Sequence, residues 1–307
     1  MNKDTIRHWL KNPWRIGLSF ARRGWLNFLP DKAYISILYR AKFGRRLDWK
    51  NPKTYNEKLQ WLKVHDRKQS YCAMVDKYEV KQYVAERIGE AYIVPVLGGP
   101  WERFEEIDFA SLPDQFVLKT THDCGGVYIC ENKASLDVRE AKKVIQSHLQ
   151  QNYYLHCREW PYKSIKPRIF AEEYLADIDT NDLKDYKFFC FDGVPRLMFI
   201  ASERQSKDQE TKFDFYDMDF NHLPIINGHP NSNYAMEKPV NFQRMKELAA
   251  VLSENIPHLR VDFYESNGHL YLGELTFFHW GGFVPFEPEE WDEIIGSWLS
   301  LPKQGGD

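Results

Sequence analysis

The 307-residue chain is poor in the features that would make its class obvious. It has five cysteines, an odd number, and none are in CxxC spacing. A disulfide framework and a structural zinc site are therefore both excluded as organising principles. No apolar run approaches the roughly 18–20 residues a spanning helix needs. The opening segment has neither a continuous apolar stretch nor a small-residue cleavage site, so no secretory signal is expected. The dinucleotide fingerprint GxGxxG is absent, and so is the Walker A lysine motif. No internal repeat or low-complexity segment is present. What remains is 15% aromatic and 28% charged, the composition of a folded chain with a large core.

The formal net charge of −3 conceals a division. Residues 1–46 hold eleven Lys and Arg against Asp4 and Asp31, a charge of +9, which leaves −12 for the rest. In the leader, Ile6, Trp9, Leu10, Trp14, Leu18, Ala21, Trp25 and Phe28 follow a helical repeat, and Lys3, Arg7, Lys11 and Arg15 form a basic stripe. Pro13 is expected to kink or split this helix. The pattern describes a basic, Trp-rich amphipathic helix over residues 1–47, with an anionic membrane surface as its expected partner and no nucleic acid. An ordinary docking helix is the alternative.

Beyond the leader, helices are expected at 54–70, with Thr54, Asn56 and Glu57 as its capping group, at about 76–88 starting from Asp76, and at 135–152, 241–254 and 288–299. Strands are expected at 92–96, 115–119, 127–130, 169–174, 186–191, 195–201, 259–264 and 269–275, several of them paired as hairpins, with Asp192-Gly193 as one turn. Residues 203–240 read as a polar, mobile stretch. Mixed helices and hairpins give an α+β fold with largely antiparallel sheets.

Three clusters carry candidate chemistry. In the last hairpin Asp262 and Glu274 sit on adjacent strands, with Thr276 and Arg260 on the same face. Two carboxylates on one face call for a cation such as Mg²⁺, and a planar guanidinium suits a phosphoryl group. A salt-bridged surface strand pair is the plain alternative. Lys119 ends a strand ahead of the loop His122–Gly126, where Gly125 and Gly126 would let backbone N–H groups approach phosphate oxygens. Glu172, Glu173, Tyr174 and Leu175 end another strand and could present backbone groups to an adenine edge. Asp185 and Lys187 share one face of the next strand. Cys124, His122 and His279 read better as turn residues than as a nucleophile or proton shuttles. Trp101, Trp160 and Trp280 suit either sugar stacking or core packing.

Taken in order, DKY, GEAYIVP, the strand lysine before a glycine loop, EEYL, DYKFFCFDG, RVDFY and GELTF resemble the ATP-grasp superfamily, in particular its TupA-like branch of capsular, exopolysaccharide and teichuronopeptide assembly, over about residues 50–300. The resemblance implies an ATP-grasp fold of two α+β subdomains, 48–172 and 173–307, with nucleotide held between them. It implies ATP and Mg²⁺ as cofactors. Lys77 and Lys119 would contact ATP phosphates, and His122–Val127, including Gly125 and Gly126, would form the lid. Glu172–Leu175 would read adenine, with Glu173 or Asp185 near the ribose. Lys187 would add a polyphosphate contact, Asp262 and Glu274 would hold Mg²⁺, and Arg260 would stabilise the transferring phosphoryl group. Thr276 stands where the superfamily usually has Asn as a further metal ligand. The implied activity is ATP-dependent amide formation between a carboxylate and an amine on a surface polysaccharide or its lipid-linked precursor, at the cytoplasmic face of the membrane. A glycosyltransferase using the DID sequence Asp177–Asp179 and an ATP-dependent sugar kinase are the alternatives. The sizeable N-terminal α/β domain usual in the family has no counterpart in residues 1–75, which leaves the acceptor site unassigned.

Overall fold

The computed structural model describes residues 15–176, 183–203 and 210–303. The smaller of its two sheets consists of β1 (Val96–Trp101), β2 (Phe116–Thr120), β3 (Val127–Cys130) and β4 (Ile169–Glu173), in the order β1-β4-β2-β3. Every pairing is antiparallel. Because side chains alternate along a strand, Phe116 and Leu118 turn to one face with Ile169 and Ala171. There they pack on Ala141 and Ile145 of the helix Val138–Leu149. Val117, Lys119, Val127, Ile129 and Glu172 are left on the other face.

The strand expected at 92–96 begins instead at Val96, after a 3₁₀ turn at Glu90–Tyr92, and runs through Gly98-Gly99-Pro100. Those residues read as strand breakers. An edge strand tolerates them because it pairs on one side only.

The larger sheet contains β5 (Asp185–Phe191), β6 (Val194–Ser202), β7 (Lys212–Tyr216), β8 (His222–Leu223), β9 (Leu259–Ser266) and β10 (His269–Thr276), ordered β10-β9-β5-β6-β7-β8. Residues 203–240 are thus not uniformly irregular. Phe213 and Phe215 bury themselves beside β6, a short alternation hidden between polar flanks. Both hairpin turns use two residues at positive φ, Asp192-Gly193 and Asn267-Gly268, the backbone that matches strand twist. One sheet face carries Tyr186, Phe188, Val261, Phe263 and Leu272 into a core closed by Phe242, Met245, Leu248 and Leu252 of the helix Phe242–Leu252. The opposite face holds the charged residues described below.

The helices, in chain order, are α1 (Arg15–Arg22), α2 (Asp31–Phe43), α3 (Tyr55–His65), α4 (Ser70–Val75), α5 (Val80–Ile88), α6 (Val138–Leu149), α7 (Tyr154–Cys157), α8 (Phe242–Leu252) and α9 (Glu290–Trp298). The expected helix 54–70 is therefore split. Thr54 and Glu57 form the reciprocal cap that starts α3, and Asp76 accepts from the N–H groups of Tyr78 and Glu79 ahead of α5. Asn56 ties α3 to Asp292 of α9 through two hydrogen bonds of 2.9 and 3.0 Å. Leu59, Leu62, Met74, Val80 and Val84 bury in the core of the larger sheet, although the chain order groups them with the smaller one.

Of the leader, residues 1–14 lie outside the described residues, and with them the stripe from Ile6 to Trp14. The rest divides in two. In α2, Tyr34, Ile35, Leu38 and Tyr39 are buried and pack with Leu47 and Phe283. Arg158 lies 4.2 Å from the Tyr34 ring and donates to the Asn27 carbonyl at 3.0 Å. Docking therefore accounts for residues 31–47. Trp25 and Phe28 remain 58% and 82% exposed. Among the described residues no helix is long and apolar enough to cross a membrane.

Candidate active site

Where the two sheets meet lies a slot of about 270 Å³. Val94, Val117, Val127 and Ile129 form its apolar walls, and Tyr264 of β9 faces them. Glu173, Tyr174 and Leu175 line the same slot, together with Lys119 and Glu172. An apolar, flat-sided space with a cation at one end suits a purine that carries phosphates.

Lys119 is held by the buried Glu172 carboxylate, which also takes Lys81 at 2.6 Å. Burial alone would raise the Glu172 pKa, but Lys119 and Lys81 bring it below the ordinary range. Glu172 therefore acts in this structure through its side chain, by placing two lysines beside the slot. Lys81 carried no signal in the sequence beyond an ordinary helix position.

The loop after β2 is anchored more than a free lid would be. Thr121, His122 and Asp123 are buried, and only Cys124 and Gly125 are exposed. Asp123 takes hydrogen bonds from Thr120 and His148, and its carbonyl accepts from Lys77. The His122 ring is 3% exposed and bonds the Gln151 carbonyl at 3.2 Å, so it faces protein rather than the slot. Gly126 has no room for a side chain, since a Cβ there would fall 1.7 Å from Thr120 Oγ. The Cys124 thiol is pushed up by desolvation and by the charge of Glu274. This argues against a nucleophile and puts the loop tip within electrostatic reach of the larger sheet's acids.

Those acids form one network. Strand register sets Lys187 opposite Asp262, Asp262 opposite Glu274, and Arg260 opposite Thr276. The Arg260 guanidinium grips Asp262 with two bonds, of 2.7 and 2.6 Å, and reaches Glu274 at 2.8 Å and Thr276 at 3.0 Å. Lys187 ion-pairs with Asp262 and, at 2.5 Å, with Asp185. Of the two ribose candidates, then, only Glu173 lines the slot. Asp185 sits in the charged cluster because it is two residues from Lys187 on the same face.

Asp262 is completely buried, and burial raises its pKa against the pull of Arg260 and Lys187. The Glu274 side chain is 38% exposed. Desolvation would raise its pKa, but Lys187, Arg260 and Lys77 outweigh this and hold it far below the carboxylate range. Behind Arg260, His279 Nδ1 accepts from the guanidinium at 2.8 Å and its Nε2 meets Asn227 Oδ1 at 2.8 Å. Desolvation and the neighbouring Arg260 hold that imidazole neutral. Nothing local in the sequence marks His279 or Asn227 for this support, which only the folded turn after β10 brings about.

Among the described residues no three His, Cys, Asp or Glu side chains form a metal cage. Of the two expected ligands, Asp262 is buried with both oxygens taken by Arg260 and one also by Lys187. Glu274 is therefore the carboxylate that could meet Mg²⁺, a hard cation that takes one or two carboxylates and fills its remaining positions with phosphate and water oxygens. Glu274 is ionised and partly open to the cleft. Residues 177–182, including the DID sequence, lie outside the described residues.

No curated protein matches the chain. Among solved structures it is similar to D-alanine–D-alanine ligase from Bacillus anthracis complexed with ATP, at 14% identity over 67% of this chain and 55% of that one, TM-score 0.42. It is also similar to L-amino acid ligase from Bacillus licheniformis, at 11% identity over 81% and 55%, TM-score 0.46. A third is N5-carboxyaminoimidazole synthase from Aspergillus clavatus in complex with ADP and 5-aminoimidazole ribonucleotide, at 11% identity over 67% and 44%, TM-score 0.40. The chain spans about half the length of these structures. Residues 57–300, from α3 to the end of α9, match the TupA-like ATPgrasp family, and the chain belongs to that family.

Proposed function

We propose that this chain is an ATP- and Mg²⁺-dependent carboxylate–amine ligase that modifies a surface polysaccharide or its lipid-linked precursor. The observation that carries the reading is the adjacency of two features. An apolar slot with Lys119 at its edge lies beside a sheet face that gathers Lys187, Asp262, Arg260 and Glu274.

ATP is a substrate in this reading. Its adenine would lie between the valines and Tyr264, with Glu173 near the ribose. Lys119 and Lys77 would neutralise its phosphates. A carboxylate oxygen attacks the γ-phosphorus, ADP leaves, and the acyl phosphate forms. The amine nitrogen then attacks the acyl carbon, loses a proton and expels phosphate. Arg260 is aimed by His279 to meet the phosphoryl charge, and such fixed donors act where charge develops. Glu274 would hold Mg²⁺, with Asp262 fixing Arg260 and Lys187 around it, and the ion would supply Lewis-acid neutralisation. Thr276 would orient Glu274, to which it donates at 3.1 Å.

The exposed Trp25 and Phe28 beside Arg22 and Arg23 support contact with an anionic membrane surface, where lipid-linked precursors reside. In this reading the enzyme works in the cytoplasm, peripheral to the inner face of the membrane.

The test is ADP release that needs both a carboxylate and an amine. Lys119→Ala and Glu274→Ala should abolish it, and unchanged rates would falsify the site. Turnover of a UDP-sugar without ATP would identify a glycosyltransferase, and phosphate retained on the sugar a kinase.

A further inference from the structure

A second cavity, of about 430 Å³, lies between α1, α2, α7 and the turn that follows β10. Its volume is in the range of small-molecule sites, roughly 300–1,000 Å³. Its walls include Arg22, Lys42 and His156, and no Asp or Glu is among the lining residues. Arg22 and Lys42 bring the charge of the basic leader to this cavity, and a positive lining with no acid in it favours an anionic ligand.

Trp280 forms another wall and is 41% exposed. Its backbone sits at φ 51°, followed by Gly281 and Gly282, also at positive φ. A tryptophan in the left-handed region is uncommon and strained, and persists only where its surroundings enforce it. Here they do. Phe213 stacks on the indole at 6.1 Å, and Gly281 leaves no room for a Cβ, which would lie 2.8 Å from Cys157 Sγ. The buried Lys63 ammonium clamps the two sides of this wall, donating to the carbonyls of Cys157 at 2.8 Å and Gly281 at 2.6 Å.

The wall is also coupled to the charged network. Trp280 follows His279, whose ring holds Arg260. A ligand stacked on Trp280 therefore lies one residue along the chain from the group that positions the guanidinium.

We infer that this cavity is an acceptor subsite that takes an acidic sugar unit adjoining the one that reacts, with its ring on the Trp280 indole and its own, non-reacting carboxylate facing Arg22 and Lys42. The inference rests on the ligase reading for what the ligand is used for, but not for whether it binds.

The experiment is titration calorimetry on the full chain with an oligoglucuronate and with a neutral cello-oligosaccharide of equal length. ATP-induced thermal stabilisation is measured in parallel. The acidic ligand should bind, weaken with added salt, and lose at least tenfold in the double variant Arg22→Glu/Lys42→Glu. Both side chains are exposed, so the fold should persist. Trp280→Ala should weaken it as well. ATP stabilisation should be unchanged in the charge variant. Equal binding of the neutral ligand, no binding of the acidic one, or binding indifferent to Arg22→Glu/Lys42→Glu overturns the inference. Loss of ATP stabilisation in the unmodified chain would instead overturn the ligase reading.

Discussion

Glu274 faces Asp262 only because Gly273 is squeezed out of the ladder between them. Leu272 pairs with Phe263 and Glu274 with Asp262, so the strand takes one residue more than its partner at this point. Such a bulge changes which side chains share a face. Without it Glu274 would lie opposite Val261, in the core. A Cβ on Gly273 would come within 2.8 Å of the Tyr264 ring, which lines the apolar slot.

Gly273→Ala should therefore displace that ring. The expected cost is about 1–3 kcal/mol of stability, as for overpacking generally, together with a smaller ATP-induced rise in melting temperature. Urea unfolding and thermal shift with and without ATP check both. An unaltered ATP shift would show that Tyr264 does not touch the nucleotide.

Arg260→Ala should cost far more than a surface charge. It leaves Asp262, completely buried, with Lys187 alone, and removing one partner from a buried pair costs about 3–5 kcal/mol. Arg260→Lys keeps the charge but lacks the fork that reaches Asp262, Glu274 and Thr276 together. It should recover part of the stability and little of the ADP release. Full recovery of activity by lysine would mean that only charge matters at this position.

Gly126→Ala tests whether the loop must be seated to bind nucleotide. The added Cβ would meet Thr120 Oγ at 1.7 Å and Asp123 Oδ1 at 2.9 Å, the two groups that pin the loop. Expulsion of the loop should remove ATP stabilisation and expose the 120–127 segment to protease. The smaller sheet keeps its core of Phe116, Leu118 and Ile145. Gly125→Ala serves as the comparison. It introduces backbone strain at φ 100° but only an ordinary 3.5 Å contact with His148, so the milder effect is expected there.

The hairpins, the capping box at Thr54 and the face shared by Asp185 and Lys187 were all legible in the sequence, because each follows from local periodicity or turn chemistry. The pairing of Asp262 with Glu274 was read correctly, but strand alternation alone does not deliver it. It needs the Gly273 bulge, which depends on the packing of Tyr264. Lys81 was missed because a lysine on α5 looks like any solvated helix residue until β4 brings Glu172 against it. His122, within the segment expected to form the lid, is hidden from sequence for a similar reason. Its place in a glycine loop suggests a ligand contact, whereas the helix end at Gln151 supplies its partner. β7 went unseen because Phe213 and Phe215 alternate for too few residues to stand out from polar flanks.

Glu159 offers a test by pH. It is buried close behind the Trp280 turn, its carboxylate 3.4 Å from where a Gly281 Cβ would lie. Burial raises its pKa to about 7, against the attraction of Lys63 and Arg260. The ordinary value is 4.5, so between these two values the native state binds more protons than the unfolded chain. Stability then falls as pH rises through that window, by up to about 1.4 kcal/mol per unit, and levels off above it. Lys63 runs the other way. Burial lowers its pKa from 10.5 to about 8, so its contribution rises with pH between those values. Together they set a trough of stability near pH 7–8. Glu159→Gln removes the falling limb. Melting temperatures of the unmodified chain should drop relative to the variant between pH 5 and 7, and parallel curves across that range would show that Glu159 ionises normally in the fold.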